Sequence, residues 1–188
     1  MIKDESEVIK QLVLGDEKAF KSIFKLYRNM VYNTALGFLT NVNDAEDITQ
    51  EVFIQVFRSI EQFKEESKLS TWIYRITITK CLDLIRKRKT KKRFAFIVDI
   101  FDKNEKEYFI NYDHPGVETE NRELSKTLFR EIDKLPENQR IAFVLNKIEQ
   151  LSYKEISEVM ETSISAVESL IFRAKANLKM RLEKFYRS

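Results

Sequence analysis

Apolar positions near the start of the chain recur at intervals of three and four, the spacing that lines one face of an α-helix. Val8, Leu12 and Val13 predict a short amphipathic helix over residues 5–14, ended by Gly15 in the C-cap role. Asp16 is then a good N-cap for a longer helix reaching about Leu39. Its stripe of Phe20, Ile23, Phe24, Tyr27, Val31, Tyr32, Ala35 and Phe38 reads as buried core. Asn41-Val42-Asn43 breaks that helix and caps the next, where Ala45, Ile48, Val52, Val56 and Ile60 share a face. On another face Asp44, Asp47, Glu51, Gln55 and Arg58 follow at three and four, with Gln50 beside them. Acids in a first turn answer the helix dipole, but Gln50 and Glu51 lie beyond it. With Phe53, Ile54 and Phe57 also apolar, this helix carries more non-solvent surface than one core face requires.

After a polar loop over 62–67, Ser70 or Thr71 is the expected N-cap of a helix running to about Lys89. Ile73, Ile76, Thr77, Leu82 and Ile85 are its candidate core residues. Trp72 allows two readings, a buried core ring or an aromatic that stacks on unpaired bases beside cations. Residues 94–123 lose the helical period: an apolar Phe94–Val98, an acidic tract and Pro115-Gly116 read as a linker, with His114 inside it.

Helical spacing resumes with Leu124, Leu128, Ile132 and Leu135, stopped by Pro136. Glu137 to Lys147 makes another helix. Ser152 and Glu155 form a capping box that opens a short helix with Ile156 and Val159 inward. A turn at Glu161-Thr162-Ser163 leads into a longer helix from Ser165 to about Phe185. Short helix, tight turn and longer helix is the helix-turn-helix pattern, although plain helical hairpins share it. The polar face of that pair presents Ser163, Ser165, Glu168, Ser169, Phe172, Arg173 and Lys175.

The fold class is therefore all-α, two small helical domains joined by a flexible acidic linker, divided as 1–93, 94–123 and 124–188. Composition agrees: among 188 residues there are three Gly and two Pro, too few for a protein built on turns and sheets. The formal charge of +3 hides a strong alternation. Residues 80–93 hold eight cations against Asp83 alone, and residues 99–123 hold eight acids against three cations. That pattern fits a nucleic-acid binder that also carries an acidic segment. One cysteine, Cys81, forms no internal disulfide and is expected to be an inert packed thiol. The start of the chain does not read as a signal peptide, and no apolar run approaches the roughly 20 residues of a membrane span. The expected location is the cytoplasm. One His and one Cys leave no conventional zinc site.

Asp44-Ala45-Glu46-Asp47…Gln50-Glu51-Val52-Phe53, Ser70-Thr71-Trp72-Ile73-Tyr74-Arg75-Ile76 and Leu82-Asp83-Leu84-Ile85-Arg86-Lys87 resemble the first domain of extracytoplasmic-function sigma factors of bacterial RNA polymerase. Leu135-Pro136-Glu137-Asn138-Gln139-Arg140, Ser152-Tyr153-Lys154-Glu155-Ile156, Val167-Glu168-Ser169-Leu170 and Arg173-Ala174-Lys175 resemble the second, in the family's order. The resemblance implies a dissociable specificity subunit that catalyses nothing and needs no cofactor or metal. Its acidic helix would dock on core polymerase at the clamp coiled coil through Asp44, Asp47, Gln50 and Glu51, with the polymerase flap as a further contact. Phe63, Lys64, Lys68, Trp72, Arg75 and Lys80 would melt and hold the −10 element, with Arg86, Lys87 and Arg88 on phosphates. Ser163, Ser165, Glu168, Ser169, Phe172, Arg173 and Lys175 would meet the −35 element. An anti-sigma factor, membrane-anchored in some systems, is the usual regulator of such proteins.

Three positions depart from the family pattern. Thr79 stands where Asn is common, Glu161 where a turn Gly is frequent, and Glu168 where a basic residue is frequent. An acid at Glu168 either accepts from a cytosine amino group or faces protein. Two other classes compete with this reading. An autonomous helix-turn-helix regulator has no need of the Asp44–Phe53 helix or the basic Arg86–Arg93 run. A nucleic-acid enzyme would require a metal-binding carboxylate cluster, a Gly-rich phosphate loop or a nucleophile–base pair, none of which the sequence displays.

Overall fold

The computed structural model describes residues 5–99 and 122–187. Eight α-helices carry the described chain: α1 (Glu5–Val13), α2 (Glu17–Leu39), α3 (Val42–Ser59), α4 (Leu69–Asp99), α5 (Arg122–Asp133), α6 (Glu137–Lys147), α7 (Tyr153–Met160) and α8 (Ile164–Arg187). A single 3₁₀ turn, Ile60–Gln62, follows α3. The expected linker and His114 lie largely outside the described residues, and α4 continues through the basic run to Asp99.

Local chemistry places most boundaries. Gly15, at φ +79°, separates α1 from α2, and the Asp16 carboxylate accepts from Lys18 N at 2.7 Å to start α2. Asn41 does the same for α3, accepting from Asp44 N at 3.0 Å. The start of α4 differs from expectation: it begins at Leu69, so Ser70 and Thr71 lie inside the helix. Leu69 is 1 % exposed and Thr71 is buried, so packing of the first turn sets this start. The Ser152–Glu155 capping box is complete, with Ser152 N donating to Glu155 Oε2 at 3.0 Å and Glu155 N donating to Ser152 Oγ at 3.3 Å.

Helices α2, α3 and α4 pack around Ile23, Val31, Phe38, Val52, Phe53, Val56, Ile73 and Cys81, all essentially inaccessible. Burial pushes the Cys81 thiol up to about 12, which leaves no reactive thiolate near neutral pH. A second centre is built by α5–α8 around Leu145, Ile156, Val167, Ile171 and Ala174. The two are in contact, α2 with α6 and α4 with α7. At Gly37 a Cβ would stand 2.7 Å from Ile148 Cδ1 and 3.1 Å from Val144 Cγ1, so the absent side chain lets α2 lie close against α6.

The helix-turn-helix connection is tight without a glycine. Glu161 adopts φ 52°, and Thr162 N reaches Ser157 O at 3.0 Å while Glu161 N reaches Glu158 O at 3.4 Å. This is the Schellman closure of a helix C-terminus. A non-glycine residue there costs about 1–2 kcal/mol.

Candidate nucleic-acid and partner interfaces

The α3 helix divides its surface as the spacing predicts. Asp47, Gln50 and Glu51 are exposed, and the row continues into Ile54 and Phe57, which are 51 % and 45 % exposed. Phe53 belongs to the core instead, edge-on to Phe24 with ring centroids 4.8 Å apart. Phe20, Phe57, Ile54, Gly15 and Arg58 line an open apolar groove beside the acidic row. Phe20 and Phe57 form its floor as a T-shaped pair at 5.7 Å. Asp44 stands apart from the exposed acids. Its carboxylate is held by Arg88 in a two-pronged pair at 2.6 and 2.7 Å, which raises the already high pKa of Arg88 chiefly through the hydrogen bond.

The loop before α4 carries Phe63, Lys64 and Lys68, and Lys64 is exposed. Trp72 is half-buried and packs on Phe63, ring centroids 5.2 Å apart. The indole is thus anchored on one ring while part of its surface stays accessible, which leaves both readings of Trp72 open. Further along α4, Lys80 reaches Glu51 at 3.3 Å, and Arg86 reaches Asp83 at 3.4 Å and Glu137 at 2.7 Å. Lys87 and Lys89 are exposed beyond them. Thr79, the departure noted in the sequence, turns its hydroxyl back to Arg75 O at 2.8 Å.

Arg75 has the most connected head group on this face. It donates from Nη2 to Glu158 O at 2.7 Å and from Nε to Val159 O at 3.3 Å, and pairs from Nη1 with Glu161 at 2.7 Å. The carbonyls belong to the last turn of α7, the electronegative end of that helix. Around this contact Glu66, Lys68, Ser157, Thr162 and Ser163 line an open cleft of about 790 Å³.

On the second domain, Ser165, Glu168, Ser169, Phe172, Arg173 and Lys175 are all exposed, and Phe172 keeps 73 % of its surface accessible. Ser163 is also exposed, but it has a local task. Its hydroxyl accepts from Ala166 N at 3.2 Å and lies 3.0 Å from Ser165 Oγ, which caps the start of α8. Among the described residues no cluster of three or more His, Cys, Asp or Glu is placed to hold a metal ion. No described helix is long and apolar enough to cross a membrane.

Sequence patterning missed the acids that face this surface from the second domain. Glu137 and Glu161 were legible only as a first-turn residue and a turn residue. Tyr74 stood out only as part of the aromatic start of α4, and Glu149, to which it is hydrogen-bonded at 3.1 Å, carried no signal.

A helical domain with an exposed acidic row and a basic, aromatic helix, followed by a helix-turn-helix, has the makeup of a promoter-reading specificity subunit. Residues 23–91 match sigma-70 region 2 and residues 126–178 match sigma-70 region 4. The chain is 34 % identical over 178 residues to the ECF RNA polymerase sigma factor SigW of Bacillus subtilis, covering 93 % of this chain and 94 % of that one. It is 30 % identical over 181 residues to the ECF RNA polymerase sigma-E factor of Haemophilus influenzae, covering 95 % of each. Its fold is shared with CnrH, solved in complex with the cytosolic domain of CnrY, at a TM-score of 0.68 and 22 % identity over 94 % of this chain and 96 % of that one. It is also shared with the sigma factor RpoE of Bartonella quintana, solved with the anti-sigma factor NepR, at 0.64 and 20 % identity over 88 % and 98 %. The chain belongs to the ECF sigma factors, the non-enzymatic subunits that direct RNA polymerase to promoters.

Proposed function

We propose a specific division of labour for this sigma factor. Asp47, Gln50 and Glu51 dock on a basic helical surface of core polymerase, the clamp coiled coil, and Ile54 with Phe57 extends that contact into the apolar groove. Asp44 acts mainly by holding Arg88. Phe63, Lys64, Lys68, Trp72, Arg75 and Lys80 hold the −10 strand, while Arg86, Lys87 and Arg88 track phosphates. The exposed face of α8, from Ser165 to Lys175, reads the −35 element, with Ser163 capping the helix beneath it. Residues 1–93 and 124–188 are the two working domains, and 94–123 connects them between the polymerase clamp and flap. The site of action is the cytoplasm, where polymerase and chromosome are. An anti-sigma factor is the expected regulator, in keeping with the complex in which the related RpoE fold was solved.

The observation that carries this reading is the exposed acidic row on α3 running directly into two exposed apolar side chains. A solvated helix face has no need of a half-exposed Phe beside an apolar groove. The decisive experiment is abortive transcription with purified core polymerase, with and without this chain, on a pooled library of genomic promoter fragments. Initiation that depends on the chain and on particular fragments supports the reading and yields the promoter. Sequence-specific duplex binding without polymerase, and no initiation, would move the chain to the autonomous regulators.

Two substitution tests follow from the assignment. Asp47→Ala with Glu51→Ala should weaken core polymerase binding about tenfold, near 1.4 kcal/mol. Thermal stability should hardly change, because both side chains are exposed. Unchanged affinity would remove the docking assignment. Neutralising Arg86, Lys87 and Arg88 should weaken promoter binding by the assembled polymerase across all sequences. The log–log salt dependence should flatten by about one for each phosphate that no longer meets a cation. A loss confined to one promoter would contradict a backbone role.

A further inference from the structure

Glu168 puts a negative charge on a face that a phosphate-lined partner must approach. It is exposed in the second turn of α8, and no cation among the described residues pairs with it. The other acid of α8, Glu183, lies 3.8 Å from Lys179. Three and four positions from Glu168 stand Ile164, Ser165, Ile171 and Phe172, so the helix offers it no partner of its own. The fold makes no use of this carboxylate.

The place of Glu168 in the helix sets it apart from an ordinary solvated acid. At about 100° per residue, Ser165 and Phe172 fall on one outward line, and Glu168 and Ser169 stand roughly 50° to either side of it. Val167, Ile171, Ala174 and Leu178 hold the buried side of the helix. Lys175 lies on the flank of Glu168 but about 10 Å further along the axis. The N-terminal residues of a recognition helix reach base edges, and later ones meet the backbone. Glu168 is therefore placed over bases, and the cation that follows it on that flank is placed on phosphate.

The chemistry of a carboxylate narrows the base. An ionised Glu has acceptors only. In the major groove cytosine offers a donor without an acceptor, guanine offers two acceptors, thymine an acceptor and a methyl group, and adenine one of each kind. Cytosine alone is complementary throughout.

We propose that Glu168 is a specificity-determining residue of the −35 contact: its carboxylate accepts from the N4 amino group of a cytosine, and it excludes guanine and thymine from that position by setting acceptor against acceptor. The proposal rests on the reading of α8 as the −35 helix. It also carries a register. Phe172, 73 % exposed, is an apolar partner for a thymine methyl, and it lies about 6 Å along the axis from Glu168, roughly two base steps. The element should hold a required cytosine with a thymine methyl about two base pairs away.

The test uses core polymerase assembled with the full chain and a duplex promoter library randomised across the −35 region, with the bound fragments sequenced. Wild type should demand cytosine at one position. Glu168→Gln should lower that preference about tenfold and admit adenine, whose donor and acceptor match an amide. Glu168→Arg should turn the same position to guanine. Glu183→Gln, an equal change in net charge on the same helix, should leave the profile intact. Phe172→Ala should relax a thymine about two base pairs from the cytosine. An unchanged profile in both Glu168 variants would overturn the proposal, and so would a uniform change in binding with the base preferences intact, which is the mark of charge or folding alone. In either case a −35 position altered by Phe172→Ala would leave the reading of α8 standing. If Phe172→Ala and Arg173→Ala also altered no −35 position, that reading would fall with the proposal.

Discussion

Truncating Arg140 to Ala is expected to lower the free energy of unfolding by about 3–5 kcal/mol, the cost of breaking a buried charge pair by removing one partner. Arg140 is 5 % exposed on α6, and its Nη2 donates both to the Asp133 carboxylate at the end of α5 and to Phe38 O at the end of α2. Its guanidinium carbon also lies 5.6 Å from the centroid of the Phe38 ring. The side chain therefore ties together three helices from both domains, and its charge complements the negative end of α2. Deletion removes the cation that offsets Asp133 and opens a gap over a ring that is 1 % exposed. Arg140→Lys keeps the charge but not the planar fork, and should recover only part of the loss. Urea unfolding measures this directly. A loss below about 1 kcal/mol would mean that the α2–α6 contact is not populated in solution.

Arg140 also marks where sequence reasoning ended. Caps were legible because they are local. Asp16, Asn41 and the Ser152–Glu155 box each act within three residues of themselves, and the bounds of α6 followed from Pro136 and the apolar period. The cost at Glu161 could also be anticipated, since the turn needs a left-handed residue and no glycine is present. The buried face of α3 was legible in Ala45, Ile48, Val52, Val56 and Ile60, but how far it extends was not. The apolar period made Phe53, Ile54 and Phe57 equivalent, and only the position of Phe24 on α2 decides that Phe53 is buried while its neighbours are exposed. Nor does anything near Arg75 in sequence announce partners more than eighty positions away. The basic run on α4 contains no Gly or Pro, so charge did not mark a helix end and the helix runs on to Asp99. Docking candidates were therefore readable from one helix face. The second domain's contribution to the surface around Arg75 and Arg86 required the tertiary structure.

Between pH 4.5 and 7 the chain should lose stability that a Glu149→Gln variant retains. Glu149 follows α6 and meets the first domain at Tyr74, whose hydroxyl donates to Oε2 at 3.1 Å. Burial pushes the Glu149 carboxyl up to about 7, against smaller opposing effects of Tyr74 and Thr34. The same burial, and then the neighbouring Glu149 and Glu155 charges, drive the Tyr74 phenol well above its ordinary range, so that phenol remains a donor throughout. Thr34 faces Glu149 but gives its own proton to Met30 O at 2.8 Å. With that proton engaged, Thr34 contributes only the smaller of the two opposing effects. Glu149 Oε1 is buried without another partner, so ionisation leaves a charged oxygen poorly satisfied at the domain interface. The folded carboxyl binds its proton more tightly than the unfolded one at its ordinary 4.5. Its contribution is consequently complete below about pH 4.5 and is lost as pH rises through about 7. The full difference is on the order of 3 kcal/mol. Thermal melts of wild type and Glu149→Gln at pH 5 and pH 7.5 measure it. The wild type should fall relative to the variant, which stays neutral and keeps an acceptor for Tyr74 at both pH values. Parallel changes in the two proteins would show that Glu149 is already ionised in the folded chain, and that the contact between the domains at Tyr74 accommodates its charge.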